Sequence, residues 1–436
     1  MDSDLRAGRA SRVMPARPGL RVLLSACACQ PGGEGESGTG WRWALALAQA
    51  GHEVWVVTRT GNRSAIEKAL ESHPQPRLHF AYYELPAWAR WWRHDDHGAQ
   101  LGYFLWQLGA YRVARELCRK VAFDVAHHVT GGTFRDPSFL AFLDLPFVFG
   151  PVGGGEAAPR ELRETFPLRG CLDDLIREAA NRAVRIDPLM ALVYRRASAI
   201  LCKSHETAAS IPPRYRRKCV VQAGLGADTG RSGARECGRT GFRVLYAGEL
   251  VYWKGLHLGL MAFAMFRQKH PDARLTVAGS GPDDAWFRRI AWLLGIGAAI
   301  TWMPAPGHAA ARRVSGDHDA FLFPGLEDAN GSAVLDAMSC GLPVVCLDAG
   351  SPAVLVDASC GIKVPPGSAG EVVGQLASAL SELSGDPALL RVMSEAAARR
   401  AREEFSWPRQ AARMGSVYRS VCVRQAPRFG ATEAPA

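Results

Sequence analysis

The feature that most constrains this chain is an alternation, run through twice, of short apolar segments with helical stretches. An apolar run from Arg21 to Cys27 is followed by a glycine-rich loop, a helical pattern from Trp41 to Ala50 and the strand-like Glu53 to Thr58. Strand, loop, helix, strand is the unit of a parallel sheet. Further apolar runs at Leu78 to Tyr82, Asp124 to Val129, Pro146 to Gly150 and Ala199 to Lys203 extend it. Between Gly224 and Gly241 large apolar residues almost vanish, which marks a linker. The alternation then restarts at Phe242 to Ala247, Arg274 to Ala278, Ala299 to Trp302, Ala320 to Phe323 and Pro343 to Leu347. The expected fold class is α/β, with two Rossmann-like, doubly wound parallel-sheet domains facing a cleft.

A length of 436 residues fits two such domains better than one core. The expected divisions are a tail at 1–19, a first domain at 20–228, a linker at 229–241, a second domain at 242–405, a C-terminal helix at 406–425 and a closing tail at 426–436. Helical patterns near Glu371 to Leu383, Pro387 to Phe405 and Pro408 to Val423 have no strand after them, so they must pack on something already built. The last can reach back to the first domain.

The formal charge of +10 favours anionic ligands. No zinc-finger spacing, RNA-binding signature or basic helix with heptads is present, so nucleic acid is not an expected partner. The eleven cysteines are irregularly spaced; only Cys27 and Cys29 form a close pair, so no metal site is expected. The first twenty residues carry four arginines and no apolar stretch of signal-peptide length, and no run of eighteen apolar residues occurs anywhere. The expectation is a cytoplasmic protein, with two segments for peripheral contact with an anionic membrane. Trp88 to Arg93 and Arg214 to Lys218 mix aromatics with cations, as interfacial segments do, or form a buried aromatic turn and a solvated basic loop.

Ligands of such folds bind in the loops beyond the carboxyl ends of the strands. The most informative loop runs from Phe323 to Pro343, FPGLEDANGSAVLDAMSCGLP. A helix expected to begin near Gly331 leaves the amides of Asn330, Gly331, Ser332 and Ala333 free to point at an anion such as a diphosphate. Asp328 and Asp336, eight positions apart, can accept hydrogen bonds from different hydroxyls of one ligand. Just past the linker, Leu245 to Gly255 reads LYAGELVYWKG and offers Gly248, Glu249 and Lys254. Gly279 and Gly281 end a later strand, where they either admit a nucleobase or ribose or make a plain tight turn. In the first domain Gln30 to Trp41 is a glycine loop entering a helix, which turns backbone amides toward the cleft. Asp124 to His128 ends a strand in two histidines that must face opposite ways, so either can be the inward one. Gly153 to Gly155 is a third glycine cluster, either room for an acceptor or a bend.

Taken together these motifs resemble the family-four retaining glycosyltransferases of the GT-B type, group 1 enzymes of bacterial polysaccharide and glycoconjugate synthesis. Asp328 and Asp336 stand at the two acids of the family's Glu-x7-Glu signature, both shortened to Asp, and Ala337 to Pro343 matches the Ala-Met-x-x-Gly-x-Pro helix end that follows. Gly248 to Gly255 resembles Gly-Arg-Leu-x-x-x-Lys-Gly, with Glu249 where the arginine belongs. His127 falls at the histidine of Asp-x-x-His and is favoured over His128 on that ground, Gly38 and Gly40 match positions of the family's glycine loop, and Phe149 to Glu156 is similar to a segment of a polysaccharide-synthesis branch. The resemblance covers roughly residues 20 to 425. It implies transfer of a sugar from a nucleotide diphosphate donor to a hydroxyl acceptor (glycan, lipid-linked glycan or small molecule) with retention and without cofactor or metal. Asp328 and His127 would then hold the sugar, Asp336 the ribose, and Lys254 the leaving diphosphate. One cation is missing at Glu249. Two rivals stay open: a nucleotide-sugar or membrane-surface binding protein without turnover, and a nicotinamide-dependent oxidoreductase using Gly153 to Ala158.

Overall fold

The computed structural model describes residues 19–33, 35–86, 96–228, 241–305 and 313–425. Expectations that fall elsewhere, residues 229–240 of the 229–241 linker and the Trp88 to Arg93 segment among them, lie outside the described residues.

Two parallel sheets are present. The first comprises β1 (Arg21–Ser25), β2 (Glu53–Arg59), β3 (Leu78–Tyr83), β4 (Val125–His128), β5 (Phe147–Val152), β6 (Ala199–Cys202) and β7 (Cys219–Val221), in the order β3-β2-β1-β4-β5-β6-β7. The second comprises β8 (Arg243–Ala247), β9 (Arg274–Ala278), β10 (Ile300–Met303), β11 (Ala320–Phe323), β12 (Val344–Leu347) and β13 (Gly361–Val364), in the order β10-β9-β8-β11-β12-β13. Every residue of β4, β5, β6, β11 and β12 is buried, as strands covered on both faces must be. The chain order reverses between β1 and β4 and between β8 and β11. At such a switch point neighbouring loops part and open a crevice. The loops after β1, β8 and β11 are therefore the ones that build the site.

Edge strands β7 and β13 extend the two sheets beyond the apolar runs of the sequence. β7 is a three-residue strand with half-buried and exposed positions, and β13 reads Gly-Ile-Lys-Val, so neither presents the apolar run that marks a central strand.

The C-terminal helix Trp407–Gln425 does cross back to the first domain. Its buried positions Gln410, Ala411, Met414, Tyr418 and Val421 follow helical spacing and join the β1–β2 side of the first core. Trp407 meets Trp43 edge to face at 5.5 Å, and Gln410 Oε1 accepts from Gln222 Nε2 at 3.1 Å. A parallel bridge between Ala227 and Ser406 stitches the crossing.

Candidate donor site between the two sheets

After β11 the chain turns at Pro324 and delivers Asp328 to the start of the helix Ser332–Ser339. Gly331, at φ 63°, supplies the left-handed turn that opens this helix, and a side chain there would strike Leu355 and Ser351. Asp328 is 3% exposed and accepts from the amides of Asn330 (3.2 Å) and Gly331 (3.1 Å). Its partner is Lys254, from the turn after β8, with Nζ 2.6 Å from Oδ1. Gly255, at φ 69°, permits that turn, because a Cβ would lie 1.9 Å from the Pro324 carbonyl oxygen. Residues 74 positions apart thus meet at one helix tip, and the β8/β11 switch point brings them there.

Beside this pair lies a cavity of about 450 Å3, lined by Gly248, Glu249, Ser332 and Asp336 from the second domain and Gly35 from the first. Neither Lys254 nor Asp328 lines this cavity; the two are bonded to each other. Gly248 and Glu249 follow β8, while Ser332 and Asp336 occupy one side of the helix. Glu249 is exposed, so a carboxylate stands where the resemblance placed an arginine.

The structure corrects several expectations. Gly38 and Gly40 are not in a loop: the helix begins at Glu36, and both glycines are buried within it. A Cβ would lie 2.1 Å from the Gly33 carbonyl oxygen at the first and 2.2 Å from that of Ala28 at the second, so these glycines allow the helix to sit on its own entry loop. Gly35, ahead of the helix, is the one that reaches the cavity. Gly279 and Gly281 likewise serve close backbone packing, since side chains there would collide with the carbonyl oxygens of Gly248 and Leu250. The bend among Gly153 to Gly155 is held internally: buried Glu156 accepts from the Gly154 amide at 2.7 Å and from the hydroxyls of Ser204 and Thr207. This glycine run follows β5 and not β1, which removes the dinucleotide reading.

His127 is fully buried on the side covered by the C-terminal helix, Nδ1 2.6 Å from Tyr418 Oη and Nε2 2.6 Å from the Gly150 carbonyl. Both ring nitrogens are engaged in the core, so this histidine does not face the cavity. His128 is buried too, with Nε2 3.2 Å from Tyr103 Oη. Burial pushes His127 down to about 4 and His128 and His257 to about 3 from the ordinary 6.5. Unfolded imidazoles take up protons near 6.5 while these stay neutral, so stability is complete above pH 6.5 and lost as pH falls toward 4 and 3. Each histidine costs about 1.4 kcal/mol per pH unit inside that window. Thermal melts should hold level from pH 8 to about 7 and drop steeply below about 6; a flat profile down to about pH 4.5 would contradict the assignment.

Two residues absent from the sequence expectations join the first domain to the loops around Asp328. Lys203 follows β6, and its Nζ donates to Asn330 Oδ1 across the cleft at 2.8 Å. Its methylenes run past Gly153 and Gly224, where any side chain would press on them. Glu206 accepts from the Gly350 amide at 2.9 Å, beside the loop that carries Asp328. Lys203 carried one usable signal, its place at the carboxyl end of a strand.

The basic cluster Arg214 to Lys218 is partly spent on the fold. Lys218 Nζ donates to the carbonyls of Tyr194, Arg195 and Ala197, and Arg216 to those of Ile211 and Ala209. No helix among the described residues is long and apolar enough to cross a membrane.

Residues 238–400 match the family model described as "Glycosyl transferases group 1". A glycogen synthase of Mycobacterium tuberculosis (strain CDC 1551 / Oshkosh) is 28% identical over 201 residues, 46% of this chain and 47% of that protein. A D-inositol 3-phosphate glycosyltransferase of Mycobacterium bovis (strain BCG / Pasteur 1173P2) is 32% identical over 206 residues, 43% of this chain and 40% of that protein. The chain thus spans about half the length of the curated relatives it matches. Among solved structures, the sucrose-phosphate synthase of Thermosynechococcus elongatus superposes with a TM-score of 0.62 at 16% identity, covering 93% of this chain and 100% of the other. An Anabaena protein crystallised with UDP and glucose gives 0.58 at 17%, covering 91% and 99%. At these identities the structural likeness speaks for the fold alone. By this match residues 238–400 are similar to the group 1 glycosyl transferases, and the paired sheets have the GT-B fold.

Proposed function

We propose that this chain moves a sugar from a nucleotide diphosphate donor to a hydroxyl acceptor with retention of anomeric configuration. The observation that carries the reading is the Lys254–Asp328 pair at the tip of the Ser332–Ser339 helix, beside an interdomain cavity. Solved neighbours of the same fold that were crystallised with UDP and with UDP-glucose support the donor class.

In this reading the donor's base and ribose enter the cavity, and Asp336 accepts from ribose hydroxyls. The diphosphate lies over the helix tip, where free amides favour negative charge. Lys254 then exchanges Asp328 for the phosphate, and Asp328 turns to a sugar hydroxyl. As the sugar–phosphate bond breaks, positive charge grows at the anomeric carbon and negative charge on the departing oxygen, so fixed cations near that oxygen lower the barrier. The acceptor hydroxyl attacks from the leaving-group face and its proton passes to the departing diphosphate oxygen. No enzymatic nucleophile and no metal takes part. Lys203 supplies the second cation that Glu249 withholds, reaching the same helix tip from the opposite domain. The chain works on the cytoplasmic side, in peripheral contact with anionic membrane.

A second reading, a binder without turnover, draws on Glu249 in the cavity wall. Thermal shift with a panel of nucleoside diphosphates and their sugars tests the donor class, because a ligand present at 100 times its Kd stabilises by about 2.7 kcal/mol. At least one nucleotide sugar should raise the melting temperature and be slowly hydrolysed, and Lys203→Ala should weaken that binding unless Glu249→Arg is added. A panel with no shift overturns the proposal, and a shift without hydrolysis favours the binder.

A further inference from the structure

The helix Leu168–Ala183 carries its polar face inward and its apolar face outward, the reverse of an ordinary surface helix. At about 100° per residue, Gly170, Asp174, Arg177, Glu178 and Asn181 share one side. Arg177 bridges Asp174 and, in the second domain, Glu327. Arg163 holds Asp174 at 3.0 Å and Glu178 at 3.1 Å, and Tyr252 Oη, also of the second domain, donates to the Gly170 carbonyl at 3.2 Å. These bonds from both domains fix which way the helix faces. Outward stand Leu168, Leu172, Leu175 and Ile176, 92%, 59%, 59% and 61% exposed, with Ile186 just beyond the helix at 86%. Arg169 and Arg182 rim the stripe and Arg185 follows it. Arg169 pairs with Asp283 and Arg182 with Glu178, yet both side chains keep more than half their surface in water. Asp173 is the acid on the outward side.

We infer that this face docks on an anionic lipid surface. The inference rests on the transferase reading for its consequence and on the helix alone for its geometry. A strip about 24 Å long and about 10 Å wide presents on the order of 240 Å2, well short of the roughly 800 Å2 per partner of a stable protein interface. A bilayer interface needs no such area: a helix lying in its plane buries an apolar stripe while arginines on the rim reach the headgroups. The chain's charge of +10 draws it toward such a surface. The inward side of the same helix also holds the cleft mouth, since Asn181 Nδ2 donates to the Gly154 carbonyl at 3.1 Å and Gly153 abuts Ala329 across the cleft. A docked helix therefore brings that mouth to the bilayer, and the acceptor is a hydroxyl on a lipid-anchored molecule.

Sedimentation of the full chain with vesicles of phosphatidylcholine, with and without phosphatidylglycerol, tests this. The chain should pellet with the mixed vesicles, and Leu172→Glu with Leu175→Glu should weaken binding by at least about tenfold. Because both leucines face water, the variant should keep its melting temperature and its shift with nucleotide sugar. Arg185→Gln, which touches no packing, should weaken binding to mixed vesicles only. Equal binding by the leucine variant overturns the inference. So does absence of vesicle binding in a chain that still binds donor, which leaves the transferase reading intact. A dimer in sedimentation velocity that the leucine variant dissolves overturns it in favour of a second copy. Vesicle binding without any donor shift upholds the surface and counts against the transferase reading.

Discussion

Lys254→Ala should reduce donor turnover by on the order of 10² to 10³, the loss that follows removal of one preorganised group from developing negative charge. The same substitution strands a buried carboxylate. Asp328 is 3% exposed and would keep only the amides of Asn330 and Gly331, and breaking such a pair from one side costs about 3–5 kcal/mol. The two effects separate in a double variant: adding Asp328→Asn removes the stranded charge and should recover most of the melting temperature, but not the turnover. Steady-state rates and melts on the four proteins of this cycle give the answer. If turnover in Lys254→Ala falls only as far as the folded fraction does, the lysine is structural and its catalytic assignment fails.

Truncation after Phe405 should leave the second domain folded and the first unable to fold. The removed helix buries Met414, Tyr418 and Val421 in the first core and sets Trp407 against Trp43. At about 1.5–3 kcal/mol for each large buried side chain, the loss is roughly 5–9 kcal/mol, comparable with the 5–15 kcal/mol that holds a whole domain together. It also strips His127 of the Tyr418 hydroxyl and exposes that side of the sheet. Limited proteolysis should cut the truncated chain throughout residues 20–228 and spare 242–405, with one of the melting transitions gone. A truncated chain that retains the first-domain transition would show that the crossing helix is an accessory.

Much of this architecture was legible in the residues. Parallel strands covered on both faces are apolar along their whole length, so β5, β11 and β12 announce themselves, and alternation with helices leaves few other arrangements. The loop that carries Asp328 was legible for a related reason: Gly331, Asp328 and the helix that follows are neighbours in the chain, and helix-start chemistry is local. At Gly38, Gly40, Gly279 and Gly281 the glycine permits close approach, and in each case what approaches the Cβ position is the protein's own backbone. His127 was less legible. A strand's period of two puts His127 and His128 on opposite faces, but which face is open depends on a helix 291 residues away.

What the sequence determined by itself is therefore whatever short-range patterning encodes: element type, the two-sheet class, and the loop that presents Asp328. Tertiary structure alone decided which charges meet and which faces stay open. Lys203 and Asn330 lie 127 positions apart, and Arg177 and Glu327 150, and only the docking of two sheets brings each pair together. The outward leucines of the helix Leu168–Ala183 make the same point. Their spacing is that of any amphipathic helix, and it took the ion pairs on the opposite side to turn that stripe toward water.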